Sequence, residues 1–436
     1  MIKEIELVLA PEHSNDEDFI RDQARKSLNI TNERIVIVRI LKRSIDARGR
    51  KVVFRLKVNV FIDQLPEPEI FTVKYQNVSD KRAVLIIGAG PAGLFAAIRC
   101  IELGLKPIIL ERGKDVKLRR RDLALINREG RIDPDSNYCF GEGGAGTYSD
   151  GKLYTRSNKR GDVNYVLKAF VAHGATEDIL MDARPHIGTN KLPSIITSIR
   201  DSILNAGGEI HFECRITDLL ISAKKLNGVL AGDKKFEADH VILATGHSAR
   251  DIYYLLDKHQ VLMEAKAFAL GVRIEHPQEI IDQAQYHCID RGPYLPPSYY
   301  SMVEQVNGRG VFSFCMCPGG IIAPCSTDLP INSYIPGTKS SDLRSVLPEF
   351  IFKRLQKALP LFGKKMNGYY TNEAILVGVE SRTSSPVRIP RVKESLQHPH
   401  LAGLYPCGEG AGYAGGIVSA AIDGMNCADA VFRDIN

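Results

Sequence analysis

The sequence lacks any uninterrupted apolar run long enough to cross a membrane, which takes about 20 consecutive residues in a helix. Its most apolar stretch, residues 83–105, is broken at Gly88, Gly90, Pro91 and Gly93 and also contains charged side chains. We therefore predict a strand, a turn and a helix there, and no membrane partner.

Internal repeats, low-complexity tracts and a strong excess of charge of one sign are also missing. The 57 lysines and arginines exceed the 51 aspartates and glutamates by only 6 over 436 residues, a surplus too small and too scattered to indicate a nucleic-acid binder. With 44% hydrophobic and 25% charged residues, the composition is that of an ordinary folded, soluble protein. Nucleic acid is therefore not an expected partner.

Paired cysteine motifs and an amino-terminal secretion signal are absent as well. The nine cysteines are odd in number and lack tight paired spacing, and the first four residues do not begin a signal peptide. Both observations predict a reducing, cytoplasmic location without structural disulfides. For Cys315, Cys317 and Cys325 a redox-active thiol is an alternative to small buried side chains, but their spacing is not that of a zinc site, so we predict no metal.

Residues 1–80 have the pattern of a separate α+β module. The predicted elements are strands near 5–9, 35–40 and 52–61 and a helix over 16–28 opened by Asn15. Basic residues over 42–51 would either bind RNA or an acidic partner, or form the solvated edge of a hairpin, and we favour the second interpretation.

A dinucleotide fingerprint follows the all-apolar strand predicted over 84–87. The turn Gly88-Ala89-Gly90-Pro91-Ala92-Gly93 has the G-x-G-x-x-G pattern and leads into a helix with an apolar stripe. The first glycine allows a tight turn, the second leaves room for a pyrophosphate, and the third lets the helix pack closely on the sheet. Amide groups at the helix start then bind the phosphates.

Glu111 closes the next predicted strand, 23 residues after Gly88. A carboxylate at this distance accepts hydrogen bonds from an adenosine ribose, and we predict that role for Glu111. Residues 141–146 also satisfy the glycine pattern but follow no buried strand. They predict a flexible loop beside the ligand, with Gly144 among the contacts.

Two later segments resemble the glutathione-reductase-type FAD-binding superfamily. There a helix, a strand and a small β-meander lead to a buried strand ending near Ala-Thr-Gly, as residues 192–246 do here with Ala244-Thr245-Gly246. A carboxy-terminal Gly-acid pair then precedes a helix that points at the flavin, as Gly408-Glu409 precedes the helix starting at Ile417. Glutamate stands here where aspartate is commoner.

More narrowly, residues 133–153 and 314–320 are similar to a family of bacterial FAD-dependent dehydrogenases of unassigned substrate. This resemblance covers nearly the whole chain and implies FAD as the cofactor. Together with the fingerprint, it predicts FAD contacts for Gly88, Gly90, Pro91, Ala92, Gly93, Glu111, Arg112, Gly144, Ile216, Ala244, Thr245, Gly246, Gly408, Glu409, Gly415, Gly416 and Ile417.

These patterns predict an α/β fold class. We expect a discontinuous Rossmann-like FAD domain of the glutathione-reductase type, an inserted α+β substrate domain and the amino-terminal α+β module. The predicted boundaries are 1–80 for the module, 81–146 with 192–250 and 372–436 for the FAD domain, and 147–191 with 251–371 for the substrate domain.

Candidates for catalysis are few, because the flavin itself carries the chemistry. Arg382 lies shortly before the carboxy-terminal FAD signature and is predicted to bind an anionic substrate or to stabilise reduced flavin. Tyr148 and Lys152 follow the glycine loop and either polarise a substrate or hold the loop. For His247, directly after Ala-Thr-Gly, a structural role is an equal alternative, because residues 248–251 have the pattern of a capping box.

We expect an FAD-dependent dehydrogenase or reductase that acts on a small or medium-sized substrate. Since only one true dinucleotide turn is present, the electron partner is expected to be the substrate, a protein donor, or an NAD(P)H that visits the flavin transiently. Two alternatives remain open: an RNA-modifying flavoenzyme that uses the amino-terminal module, and a non-catalytic flavin-binding redox sensor.

Overall fold

The structure is a computed structural model, and it describes residues 1–31, 34–67, 73, 75–155, 160–188, 190–313, 316 and 339–436. Cys315, Cys317 and Cys325 lie outside the described residues. The hypotheses of a redox-active thiol or a metal ligand at these positions therefore stay as they were.

Strands and helices alternate over much of the chain. The strands are β1 (Ile2–Leu9), β2 (Val36–Asp46), β3 (Val53–Ile62), β4 (Ala83–Ile87), β5 (Lys106–Leu110), β6 (Glu209–His211), β7 (Asp218–Ser222), β8 (Lys225–Ala231), β9 (Lys234–Glu237), β10 (Val241–Leu243), β11 (Glu264–Ala265), β12 (Gly271–Glu275), β13 (Val303–Val306), β14 (Arg309–Phe312), β15 (Ile375–Glu380), β16 (Val387–Arg388) and β17 (Leu404–Pro406). The helices are α1 (Glu17–Leu28), α2 (Pro91–Glu102), α3 (Val116–Glu129), α4 (Val163–Ala172), α5 (Asp178–Met181), α6 (Leu192–Asn205), α7 (Arg250–Lys258), α8 (Gln278–Tyr286), α9 (Leu343–Val346), α10 (Glu349–Lys365) and α11 (Ile417–Ile435). Among the helices of the described residues, none is both long and apolar enough to cross a membrane.

The first compact unit comprises residues 1–70, 178–185 and 270–381. Its antiparallel sheet has the order β1-β3-β2, and β2 and β3 form the predicted hairpin. Helix α1 packs against this sheet, and Tyr286 and Leu295 join the same apolar core. The amino-terminal module thus shares its core with residues far along the chain.

Helix α1 is capped by a different residue from the one the sequence indicated. The Asp16 carboxylate accepts a hydrogen bond from the Phe19 N–H at 3.0 Å, so the prediction of Asn15 was wrong by one position. The Asn15 side-chain oxygen instead accepts from Arg43 Nη1 at 2.5 Å.

The later part of this unit contains two short antiparallel pairs, β12 with β15 and β13 with β14. Helices α8 and α10 each contribute one buried residue to a second, smaller core. Its buried members are Ile281, Tyr300, Met302, Phe362, Met366 and Tyr369.

The second compact unit comprises residues 71–177, 186–269 and 382–436. At its centre is a parallel sheet of five strands in the order β17-β10-β4-β5-β6. Residues 84–87 of the central strand β4 are all buried, as a strand covered on both faces requires. The meander β7-β8-β9 lies between β6 and β10 in the chain, in the predicted order. The α/β fold with a Rossmann-like parallel sheet is therefore confirmed.

Helices α2 and α11 pack closely together over one part of this unit. A Cβ added to Gly424 of α11 would lie 2.0 Å from the carbonyl oxygen of Ala92. Glycine at position 424 therefore allows α11 to pack closely on α2.

The compact units divide the chain differently from the predicted domains. Residues 147–177 and 251–269 belong to the unit with the parallel sheet. Within the first range, Phe170 of α4 packs on Phe95 of α2 with ring centroids 5.3 Å apart. Residues 372–381 belong to the other unit, because β15 pairs with β12. Compactness does not test independent folding, so the three-domain division stays a prediction.

Candidate cofactor site

The first glycine turn stands at the carboxyl end of β4, between the ends of β5 and β10. Gly88 has a φ of +104°, a conformation that favours glycine, and its N–H donates to the Leu110 carbonyl at 2.8 Å. A Cβ on Gly93 would lie 1.9 Å from the carbonyl oxygen of Gly88. Helix α2 can therefore start this close to the strand end only with glycine at position 93.

Helix α2 begins at Pro91 with Gly90 as its N-cap. No side chain makes a capping hydrogen bond there, and proline has no N–H of its own to satisfy. The first amide groups of the helix thus keep their capacity to bind an anion.

The Glu111 carboxylate lies between three backbone segments. Its side chain is buried, and Oε2 accepts a hydrogen bond from the Ala89 N–H at 2.8 Å. Oε1 accepts from the N–H groups of Gly113 at 2.9 Å and Gly141 at 3.0 Å. Glu111 therefore holds both glycine segments in place, a structural role that the spacing argument had not included.

The second glycine segment, residues 141–146, lies directly against the first. The Gly143 N–H donates to the Ala89 carbonyl at 2.8 Å, and a Cβ on Gly144 would lie 3.2 Å from Gly90 Cα. Residues 145–148 form turns, and no helix follows over 149–151, so the segment is a loop beside the dinucleotide turn, as its context predicted.

Arg119 is a determinant of this loop that the sequence interpretation missed. Its side chain is completely buried and donates to the carbonyl oxygens of Asn137, Tyr138, Gly141 and Glu142 at 2.7–3.2 Å. Burial lowers the pKa of this guanidinium. Arg119 falls on the stripe of buried residues in α3, and this helical periodicity could have indicated its inward position. The two arginines that follow it in the sequence instead suggested a solvent-exposed basic run.

The loops that follow β10 and β17 also lie against each other. The Gly410 N–H donates to the Thr245 carbonyl at 3.1 Å, and a Cβ on Gly410 would lie 2.2 Å from that oxygen. This approach brings His247 Nδ1 to 3.0 Å from Glu409 Oε1. The Ala-Thr-Gly segment and the Gly-Glu segment, distant in sequence, thus form one wall.

Together these loops line a cleft with about 910 Å³ of empty space, counting the part open to solvent. The predicted cofactor residues in its wall are Gly88, Gly90, Pro91, Ala92, Glu111, Arg112, Gly144, Ile216, Ala244, Thr245, Gly246 and Glu409. The role of each in binding stays a prediction.

The other predicted cofactor residues do not line the wall of this cleft. They are Gly93, Gly408, Gly415, Gly416 and Ile417. Gly93 provides the close helix start described above, and the Gly408 N–H donates to Asp423 Oδ2 at 2.8 Å. Ile417 lies 3.4 Å from the Cβ position of Gly146, so α11 begins beside the second glycine loop.

A charged cluster forms another part of the wall. Arg112 Nη1 donates to Asp251 at 2.9 Å, Arg112 Nε donates to Asp135 at 3.0 Å, and the guanidinium lies 3.9 Å from the ring centre of Phe140. Arg215 Nε donates to Asp251 at 3.1 Å. Because these arginines engage Asp251, the predicted capping box is wrong, and α7 begins without a side-chain cap.

The predicted catalytic residues occupy three different environments. The Tyr148 hydroxyl donates to the Val116 carbonyl at 2.5 Å, and burial raises its pKa. Lys152 forms a backbone bridge with His186. Arg382 Nη1 donates to Cys139 Sγ at 3.1 Å, and Cys139 lines the cleft. Arg382 is thus adjacent to the cleft wall, whereas neither Tyr148 nor Lys152 belongs to it.

One carboxyl group beside the glycine loop has a strongly shifted pKa. Burial raises the pKa of Glu142 to about 7, although Oε2 accepts from the Val116 N–H at 2.9 Å and from Arg200 Nη1 at 2.8 Å. Desolvation of the charged form outweighs these two contacts.

Among the described residues, one group of potential metal ligands comes together, formed by Cys407, Asp423 and Cys427 within 4.8 Å. Both Asp423 oxygens accept hydrogen bonds from Arg391, at 2.6 and 3.0 Å, and this cation would compete with a metal ion. A hydrogen bond with Cys427 and burial raise the pKa of Cys407 well above its ordinary value. We assign no metal to this group.

Family models match three parts of the chain. Residues 82–253 match pyridine nucleotide-disulphide oxidoreductases, and residues 267–330 and 326–383 match the C-terminal domain of FAD-dependent proteins. Residues 1–61 match a domain of unknown function. A protein of Clostridium beijerinckii, described as uncharacterized, is 32% identical over 516 residues, covering 96% of each chain.

The chain belongs to this FAD-dependent family. FAD is its cofactor, and the family is one of oxidoreductases whose substrate is unassigned. The cleft fits this cofactor, since its wall includes the first glycine turn and the start of α2, whose first amide groups can bind a phosphate.

The comparison with solved structures gives matches of low sequence identity. Glycine oxidase from Bacillus cereus is 16% identical with a TM-score of 0.33, covering 83% of this chain and 96% of that one. A geranylgeranyl bacteriochlorophyll reductase-like protein from Thermoplasma acidophilum is 15% identical with a TM-score of 0.38, covering 81% and 79%. Similarities of this size carry no argument about substrate.

Proposed function

We propose that the protein is an FAD-dependent dehydrogenase or reductase that acts on a small or medium-sized anionic compound. The observation that carries the proposal is the cleft at the carboxyl ends of β4 and β10, where two glycine segments meet around the buried Glu111 carboxylate. Family membership supplies the cofactor and the reaction class, and the residues around the cleft supply the rest.

The cleft residues divide by the part of the cofactor that they suit. The glycine turn and the start of α2 suit the diphosphate, and Glu111 suits the adenosine ribose. The start of α11, at Gly416 and Ile417, suits the flavin end, where a helix amino terminus stabilises negative charge. When bound, FAD supplies two-electron redox chemistry, and the protein binds and orients both reactants.

The anionic character of the substrate is inferred from residues 382–388. Ser385 anchors this segment, because its buried hydroxyl lies 3.2 Å from the Tyr253 hydroxyl and 3.3 Å from the Gly410 carbonyl. Arg382 reaches Cys139 in the cleft wall. A guanidinium held at this edge binds a carboxylate or phosphate well, so Arg382 is our candidate substrate-binding residue.

The source of electrons is inferred from the topology. Within the described ranges, one parallel sheet carries one dinucleotide turn, and no second strand-turn-helix unit of that type accompanies it. We therefore propose that a nicotinamide reaches the flavin only transiently, or that the substrate or a protein partner exchanges the electrons.

The alternative of an RNA-modifying flavoenzyme gains no support from the amino-terminal hairpin. Arg43 donates to Asp182 at 2.8 Å and to Asp178 at 3.1 Å, and Arg48 pairs with Asp46 at 2.7 Å. Two arginines of the basic stretch are thus neutralised within the same unit.

We also infer a cytoplasmic location, since the described cysteines are free thiols.

The first experiment is purification of the full-length protein under mild conditions. We expect a yellow protein that releases FAD on denaturation, identified by chromatography, and reduces an artificial dye with some member of a panel of small anionic donors. Mass spectrometry of other co-purifying molecules would direct the panel. A colourless protein that cannot be reconstituted with FAD would contradict the proposal at its base, and bound FAD without turnover would favour the redox sensor.

A further inference from the structure

Three cationic side chains from distant parts of the chain come together at Tyr413, in the loop that leads from β17 to α11. Arg160 Nη1 donates a hydrogen bond to the Tyr413 carbonyl at 2.7 Å. The Arg388 guanidinium carbon lies 5.5 Å from the centre of the Tyr413 ring, and Lys266 Cδ lies 3.1 Å from the Cβ position of Gly412. We call these three cations the Tyr413 cluster.

The backbone of each cation in the cluster is held by a neighbouring segment. Asn426 of α11 donates to the Arg160 carbonyl at 3.0 Å. The Lys266 N–H donates to the Pro386 carbonyl at 2.8 Å, and Arg388 belongs to β16, which pairs with β11. The positions from which the three side chains extend are therefore preorganised, which lowers the entropy lost when a ligand binds.

The charges of the Tyr413 cluster are not neutralised by ion pairs within the described part of the chain. Glu264 stands opposite Arg388 in the β11–β16 pair without forming an ion pair with it. Asp423 of α11 is already bound by Arg391, at 2.6 Å. Like charges that gather in this way repel one another, and an anionic ligand would offset the repulsion.

The cluster lies close in the chain to the start of α11, where the structure leaves open space. A Cβ on Gly415 or on Gly416 would have no described atom within 4 Å, and the side chains of Arg160 and Arg388 are exposed. The proposed function assigns the flavin end of the cofactor to the start of α11 and the diphosphate of FAD to the start of α2. On that assignment the cluster is separate from the diphosphate site and accessible to a substrate.

We propose that the Tyr413 cluster binds a phosphate group of the substrate. A phosphate monoester carries a charge of about −1.5 to −2 near pH 7 and has three terminal oxygens, one for each cation, whereas a carboxylate has a single charge and two oxygens. Arginine also matches phosphate with paired N–H donors. The inference rests on the proposed function, in which the substrate is anionic, and narrows its class to phosphorylated compounds.

The test is calorimetric titration of inorganic phosphate into FAD-loaded, full-length protein at constant ionic strength. Because FAD then occupies the diphosphate site, phosphate should bind at the cluster, about tenfold or more tightly than acetate does. Arg388→Gln and Lys266→Met should each weaken phosphate binding about five- to tenfold and leave the FAD content unchanged. Arg128→Gln, at an exposed position near the end of α3, is the matched control and should bind phosphate as wild type does.

Phosphate that binds no more tightly than acetate would overturn the inference, as would equal phosphate affinity in Arg388→Gln and Arg128→Gln. Succinate that binds more tightly than phosphate, with the same dependence on Arg388, would assign the cluster to dicarboxylates and overturn the phosphate assignment. Phosphate binding in the expected pattern without turnover of any donor would contradict the proposed reaction and leave the site intact. Turnover of an anionic donor without phosphate binding would contradict the role of the cluster and leave the reaction intact.

Discussion

Replacing Glu111 by alanine tests both the fold of the glycine segments and the cofactor site. The wild-type carboxylate is 5% exposed and accepts hydrogen bonds from the N–H groups of Ala89, Gly113 and Gly141. At about 1.5–3 kcal/mol for each hydrogen bond to a charged group, their complete loss would amount to about 4.5–9 kcal/mol. Water entering through the cleft would replace part of this, so we expect a loss of about 2–5 kcal/mol in the free energy of unfolding without FAD.

The assay is urea unfolding of cofactor-free protein, followed by circular dichroism, and then FAD titration of variants that remain folded. Glu111→Gln keeps one acceptor oxygen and should lose less stability, yet both variants should bind FAD about tenfold more weakly if Glu111 accepts from the ribose. Glu129→Ala, at an exposed position of α3, is the control. An alanine variant as stable as this control would refute the role in holding the loops, and unchanged FAD affinity in folded Glu111→Gln would refute the role at the ribose.

Three further perturbations follow from the geometry. Gly93→Ala should abolish FAD uptake and lower the melting temperature strongly, because its Cβ would lie 1.9 Å from a carbonyl oxygen. Gly49→Ala is the control and should change neither property, because the nearest atom to its Cβ would be 3.8 Å away. Equal melting temperatures of the two variants would contradict this reasoning. Burial raises the pKa of Glu142 from 4.5 to about 7, so the folded protein retains a proton that the unfolded chain releases, and stability is lost as pH rises through this range. Relative to Glu142→Gln, the unfolding free energy of wild type should therefore fall by up to about 3 kcal/mol between pH 4 and pH 8, and a pH-independent difference would exclude this role. Anaerobic mixing with NADH or NADPH should bleach the flavin slowly or not at all; fast bleaching that saturates at low micromolar nicotinamide would require a dedicated nicotinamide site.

Local sequence was sufficient to predict the strand, the glycine turn and the helix of the candidate cofactor site. An all-apolar strand, three glycines at fixed spacing and a striped helix predicted β4, the turn and α2, because each of these requirements acts between residues near one another in the chain. The position of Glu111 directly after β5 and the loop conformation of residues 141–146 were predicted from the same short-range rules. The hairpin of the amino-terminal module was likewise expected, because the basic residues over 42–51 lie between two predicted strands.

Tertiary structure decided which distant groups meet. Arg119 belongs to a run of three arginines, and only the tertiary packing determines that this side chain is the buried one. From the sequence, the Asp251 carboxylate could either cap α7 or pair with arginines. The fold decides this, because it places Arg112 and Arg215 within hydrogen-bonding distance of Asp251. The sharing of one core between the amino-terminal sheet and Tyr286 likewise leaves no periodic signal in the sequence. The pairing of His247 with Glu409 depends on two loops separated by more than 150 residues meeting at one edge of a parallel sheet. Such contacts arise from how strands are ordered, and strand order is settled by the packing of whole faces, which no short segment of sequence records.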